Sequence, residues 1–465
     1  MNGAVMMKYM KKCKTQHKAM IILVLFYLPF HLWLTPGYWD DAVFAGILEK
    51  YQWNLVQYTV DRYLTWSSRI SIELLIPFLA VLPDLIWKTL NILMVILLFF
   101  DLRWTLKEIM RIKSDKLDIW LSLLLCSYPF STMAQTGWIA TSMNYLWVVA
   151  LGWYVINRLL NVVLRRGQVL KRDFLFVGLA ALYSTAFESM AAILLIIMIG
   201  IIVYSIKEIH KVPGLVWMCM GITAIMLIYI FLCPGNRLRP LKDAELWMPD
   251  YFRLTFTDKL RVGVGSAFMH FVSIPSPVFF LLNLSIFLLG RRGSCSTEYK
   301  RRGSVWELSL AALPMILDVA WTCYFLLSYL RGERSVTYHV PTAIPKGQGE
   351  IMEQTFLILS VIIWFGSVLY IVFRNLHIQK SVYITCILLL ACIPEIAVGI
   401  TPTVYASILR TTIYLYMAMI TMIVSICYEL KIETQKNLHF TYSFCFGCGM
   451  LLNACQIARH IVLYG

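Results

Sequence analysis

Continuous apolar runs of about 20 residues recur along this chain, with short basic segments between them. A run of that length forms a helix that crosses the hydrocarbon core of a bilayer with every backbone polar group bonded inside the segment. The runs do not alternate apolar and polar residues, which argues against a β-barrel. Hydrophobic residues make up 59% of the 465 and charged residues 14%, against roughly 25% charged in a soluble domain. So few charges cannot cover a soluble surface of this size. A water-soluble enzyme, a disordered chain and a secreted disulfide scaffold are excluded. The predicted fold class is all-α: a polytopic integral membrane protein with about 12 to 14 transmembrane helices, at roughly 30 residues per span and loop.

The net charge is 41 − 26 = +15. Much of it lies in seven segments: 8–18, 103–116, 158–172, 207–211, 291–302, 374–380 and 431–436. The positive-inside rule accounts for them and places all seven in the cytoplasm, so nucleic acid is not an expected partner. The cysteines lie mostly within apolar runs, as in Cys126, Cys219 and Cys386, and read as small buried hydrophobes. The expected organisation is one membrane domain over 1–465. It has an uncleaved first span at 19–34 with its N-terminus cytoplasmic. An extracytoplasmic loop over 35–69, a helical core over 70–430 and a terminal hydrophobic helix over 438–465 follow. Later spans are expected at 117–131, 144–163, 173–187, 190–206, 213–232, 276–290, 306–330, 351–373, 381–400, 408–429 and 440–458. The stretch 70–101 crosses once by charge, yet Pro77 and Pro83-Asp84 interrupt it, so its first half is expected to be re-entrant or interfacial.

A second set of cations maps to the outer side of this topology: Arg62, Arg69, Arg237, Arg239, Lys242, Arg253, Lys259, Arg261, Arg331, Arg334 and Arg410. These run against the positive-inside trend, and an anionic ligand at the outer face would explain them. Arginine suits phosphate because its planar fork gives bidentate, charge-assisted bonds. Asp40-Asp41 follows the first span directly. Such a pair can bind a metal, act as base and orienter, or cap the following helix. From Asp41 to Tyr58, the spacing of Phe44, Ile47, Leu48, Tyr51 and Leu55 predicts an amphipathic interfacial helix. Gln135, Asn144, Tyr145 and Glu188 sit at outer ends of spans, and Asp318 and Glu395 lie deeper in apolar runs. Intramembrane carboxylates are functional candidates, with a structural ion pair or interhelical hydrogen bond as the alternative. His31, His270, His339 and His460 share no metal spacing and read as interfacial or loop residues.

Taken in order, these motifs resemble the polytopic glycosyltransferases of the GT-C superfamily, which place an acidic pair in the first extracytoplasmic loop. More narrowly, the chain resembles a largely unassigned bacterial GT-C-like family. The landmarks here are Asp40-Asp41 with Phe44, Trp66-Ser-Ser-Arg69, Thr136-Gly137 with Asn144-Tyr145-Leu146-Trp147, Glu188, Pro234-Gly235-Asn236-Arg237-Leu-Arg239, and Tyr405 through Arg410. Ser68 stands where that family tends to have glycine.

The resemblance implies a GT-C-like fold in the cytoplasmic membrane. It also implies transfer of a monosaccharide from a polyprenyl-phosphate carrier to a glycan, teichoic-acid-like polymer or other acceptor on the outer face. Asp40 or Asp41 would act as general base. Arg69, Arg237, Arg239 and Arg410 would bind the donor phosphate, and Gln135, Asn144, Tyr145, Glu188, Asn236 and Trp66 would hold sugar or acceptor. No cofactor is expected, because arginine supplies the positive charge; a divalent metal on Asp40-Asp41 is the less favoured option. Membrane lipid, a polyprenyl-phosphate sugar synthase and a flippase are the expected partners. A polysaccharide polymerase or ligase, and a transporter or flippase of a lipid-linked or anionic solute, are the alternative functions.

Overall fold

The computed structural model describes residues 3–114, 116–165, 167–293, 305–332, 343–345 and 347–464. Among these the ordered elements are helical throughout. Among the described residues nine helices are long and apolar enough to cross a membrane, or up to ten with one bent pair, as fits a multi-pass membrane protein. That is fewer than the 12 to 14 expected. Three of the expected spans have no counterpart in this set: 19–34, which lies in the helix Gly3–Trp33, 117–131, where only Leu117–Cys126 forms, and 173–187, which lies in the 14-residue Lys171–Ser184. At 1.5 Å per residue neither of the last two reaches across about 30 Å of hydrocarbon.

The interruption expected near residue 83 is present. Leu82 is extended, Pro83 precedes the next helix, and the helix Asp84–Ile109 runs on for 26 residues. In the preceding loop the expected single helix is broken into Asp40–Ala45, Ile47–Lys50 and Leu55–Thr65. Gln52 and Trp53, both with positive φ, make the break. Of the apolar residues in the spacing, Phe44, Ile47 and Leu48 are buried, while Tyr51 and Leu55 are half-buried. Another helix, Phe256–Ser273, lies where no apolar run was recognised, because Lys259, Arg261 and two glycines dilute its hydropathy. It pairs with Pro277–Arg292 across a 93° bend.

The chain forms two compact units, each assembled from separated segments. One comprises Met20–Thr105, Pro129–Asp243 and Ala454–Gly465. In it, the helix Trp147–Leu164 packs against Asp84–Trp104, Lys171–Ser184 and Glu188–Tyr204. A buried polar relay locks its first turn: Trp147 Nε1 donates to Asn91 Oδ1 at 3.0 Å, and Asn91 Nδ2 meets His31 Nε2 at 2.9 Å. His31 is thus a buried helical residue and not a loop residue.

The other unit comprises Met1–Ala19, Leu106–Tyr128 and Ala244–Asn453. Its centre is the helix Ile413–Glu429, buried on every side from Ile413 to Cys427. A helix apolar all round belongs inside a bundle. His270, also expected at an interface, is buried there beside the Tyr416 hydroxyl. Asp318 accepts from Asn283 Nδ2 at 3.0 Å, and Asn283 Oδ1 accepts from Trp364 Nε1 at 2.8 Å. Asp318 therefore serves as an interhelical hydrogen-bond acceptor. Arg334 and His339 lie outside the described residues.

Candidate functional site

The two acidic residues of the pair occupy different environments. Asp41 is 1% exposed, while Asp40 faces outward. Asp41 Oδ2 accepts from the Ile139 amide at 3.1 Å, and Oδ1 from the Ala140 amide at 2.9 Å. These are donors of the first turn of the helix Trp138–Leu164, which no residue inside that helix can satisfy. A carboxylate here also meets the positive end of the helix dipole. The capping role considered for the pair is real, but the helix capped is a distant one. Gly137 makes it possible: its φ is +119°, and a Cβ there would lie 2.4 Å from Asp41 Oδ1. Burial pushes the Asp41 carboxyl up from 3.8 to about 6, against the two amide hydrogen bonds that favour the charged form. The Asp40 amide donates to Thr136 O at 2.9 Å, so both residues clasp the Thr136-Gly137 turn.

The peptide of Ala140 passes this anchorage on. Its N–H donates to Asp41 Oδ1, and its carbonyl accepts from Asn144 Nδ2 at 2.8 Å. Asn144 Oδ1 in turn accepts from Arg69 Nη1 at 3.3 Å. Arg69 Nη2 reaches Glu188 Oε2 at 2.9 Å, and its guanidinium lies 4.3 Å from the Phe187 ring centre. Tyr145 is buried edge-on to that same ring. Glu188 opens the helix Glu188–Ile209, which places its carboxylate at a helix N-terminus as well.

The Trp-x-x-Arg and Pro-Gly-Asn elements meet directly. A Cβ on Gly235 would lie 2.3 Å from the Trp66 amide nitrogen. Asn236 Nδ2 donates to Ser68 Oγ at 2.9 Å and to Ile230 O at 3.1 Å. Ser68 is fully buried, and its hydroxyl supplies an acceptor that glycine could not. Two guanidinium groups lie near the Trp66 ring centre, Arg62 at 5.5 Å and Arg239 at 5.2 Å. Arg62 is paired with Glu73, and Arg239 with Asp243 at 2.9 Å. Arg237 points outward from the same helix.

The Pro234-Gly235 element is helical. Pro234 begins the helix Pro234–Trp247, where its missing N–H is no loss. Gly235 is needed for close approach rather than for an unusual backbone angle.

Five of the six sequence landmarks thus lie within one unit, and contacts join the acidic pair to Thr136-Gly137, Arg69 to Asn144 and Glu188, and Trp66 to Gly235. Gln135 stands half-buried in the turn before Gly137. The sixth landmark, Arg410, belongs to the other unit. It is 8% exposed within the helix Val404–Thr411, and its Nη2 donates to Ala406 O at 2.6 Å and Ser407 Oγ at 3.0 Å. Arg62 and Glu73, absent from the sequence-derived site, belong beside Trp66. The i,i+4 spacing of Arg62 and Trp66 on one helix was the available signal.

The chain matches no family model, no curated protein and no solved structure.

Proposed function

We infer that this protein is a membrane glycosyltransferase of the GT-C type. It would move a monosaccharide from a polyprenyl-phosphate carrier to an acceptor hydroxyl of an envelope glycan or polymer, on the outer face of the cytoplasmic membrane. The observation that carries this reading is the division within the acidic pair. Asp41 is held by two amides and fixes the turn, while Asp40 projects beside it on the same rigid support.

On this reading Asp40 is the general base. Its carboxylate takes the proton of the acceptor hydroxyl as that oxygen bonds to the anomeric carbon. The bond from that carbon to the phosphate oxygen breaks, and the lipid phosphate leaves with the electron pair. Its growing charge calls for cations already in place. Arg237 is favoured here, because it is exposed, whereas Arg69 is engaged by Glu188 and Arg239 by Asp243; Arg69 serves better to orient Asn144 and Glu188 for sugar hydroxyls. Trp66, half-buried beside two guanidinium groups, is the candidate aromatic face for a sugar ring. Asp41 is a positioning residue.

The experiment is sugar transfer by purified protein in lipid nanodiscs, from a radiolabelled polyprenyl-phosphate sugar to envelope polymer. Asp40→Asn is expected to lower turnover by 10²-fold or more, as for loss of a general base, with the melting temperature unchanged. Turnover at the wild-type level in Asp40→Asn overturns the assignment.

A further inference from the structure

A cavity of about 280 Å³ lies wholly within the Ala244–Asn453 segment, walled by Phe268, Phe271, Phe279, Trp364, Leu388 and Leu415. It exceeds the roughly 150 Å³ at which an apolar cavity already admits benzene. Glu395 also lines it. This residue is 2% exposed, and neither carboxyl oxygen has a hydrogen-bond partner among the described residues. A buried carboxyl group left in that state carries a large penalty unless something meets it.

The neighbouring Thr411 narrows what that something can be. Its hydroxyl lies outside hydrogen-bond geometry to both Glu395 oxygens and donates to Ile408 O at 2.9 Å. With no protein donor in reach, the apolar surround favours the neutral acid over the carboxylate. The carbonyl oxygen of that acid is an acceptor. The occupant must then supply a hydrogen-bond donor at the end of an otherwise apolar body.

The way in is from the side. Leu389, on the cavity rim, is 51% exposed on the helix Ile378–Gly399, a candidate span whose exposed face meets acyl chains. The helices that carry Phe268 and Glu395 are held together by the close packing of Gly399 on Gly263, where a Cβ at Gly399 would lie 2.3 Å from the Gly263 Cα. We propose that this cavity is a binding site for a neutral single-chain alcohol dissolved in the membrane, with its hydroxyl donating to Glu395 and its chain lying among the aromatic rings.

The test uses the full chain in nanodiscs and a decanol carrying a diazirine on its chain, with crosslinks mapped by mass spectrometry. Labelling is expected at the cavity wall, suppressed by excess decanol and not by decane. Glu395→Leu should cut labelling about fivefold or more, the worth of a neutral hydrogen bond. Leu389→Trp, a change on the lipid-facing rim that leaves the buried packing intact, should cut it by obstructing the mouth. Equal competition by decane, labelling unaffected by both variants, or no labelling at the wall would each overturn the proposal.

Discussion

Arg69 and Glu188 stand 119 residues apart and are joined by a forked contact, with Arg69 Nη2 and Nε at 2.9 and 3.2 Å from Glu188 Oε2. The third nitrogen of the same guanidinium reaches Asn144. One planar group thus ties three separate stretches of chain, which an ammonium cannot do from a single point. Arg69→Lys keeps the charge and loses the fork. Because the Glu188 side chain is 37% exposed, solvent softens the loss. The expected destabilisation is about 1 kcal/mol, and it would appear as a lower melting temperature in detergent. Turnover should fall further than stability, since Asn144 and Glu188 would lose their alignment. A variant with wild-type turnover would show that the pair has no part in the site.

The Asp41 carboxyl gives a pH signature. Its proton affinity in the folded protein is raised from 3.8 to about 6 by burial. Between those values the folded chain holds a proton that the unfolded chain has released. Stability from this group is therefore fully present below the window and declines as pH rises through it. Melting temperature measured from about pH 4 to about pH 7 should carry this downward component in the wild type. Asp41→Asn, which cannot titrate, should flatten it. An identical pH profile in the two proteins would assign the dependence elsewhere.

Gly235 is a position where a single methyl should matter. A Cβ there would lie 2.3 Å from the Trp66 nitrogen and 2.8 Å from the Tyr63 carbonyl oxygen, both backbone atoms that cannot swing aside. Gly235→Ala should cost about 1–3 kcal/mol through overpacking and push the helix Pro234–Trp247 off Trp66. Gly221→Ala is the control, since nothing lies within 4 Å of its added Cβ. Equal melting temperatures for the two variants would refute the close-packing account.

Arg237 tests the phosphate clamp. It is exposed, so Arg237→Lys should leave abundance and melting temperature unchanged. A bidentate contact to the leaving phosphate would not survive the exchange, whereas simple attraction to lipid headgroups would. The expected outcome is a loss of turnover of about tenfold, the equivalent of one charge-assisted hydrogen bond. Near-normal turnover would leave Arg237 as a headgroup contact.

The membrane class, the helical architecture and the break at Pro83 were legible in the sequence. Each depends on local chemistry: hydropathy over about 20 residues, and a proline that removes a backbone donor. The polar landmarks could be singled out too, because charged and amide groups at the ends of apolar runs are conspicuous. Their partners were decided only by the tertiary structure. Asp41 caps a helix 99 residues further on rather than its own, and Gly235 is glycine because the backbone of Trp66 passes against it. Span number also depended on tertiary structure, since the apolar residues of Leu117–Cys126 and Lys171–Ser184 fall in helices too short to cross. Apolarity is written residue by residue, but helix length and the meeting of distant backbones depend on which surfaces pack together, and no local pattern encodes that.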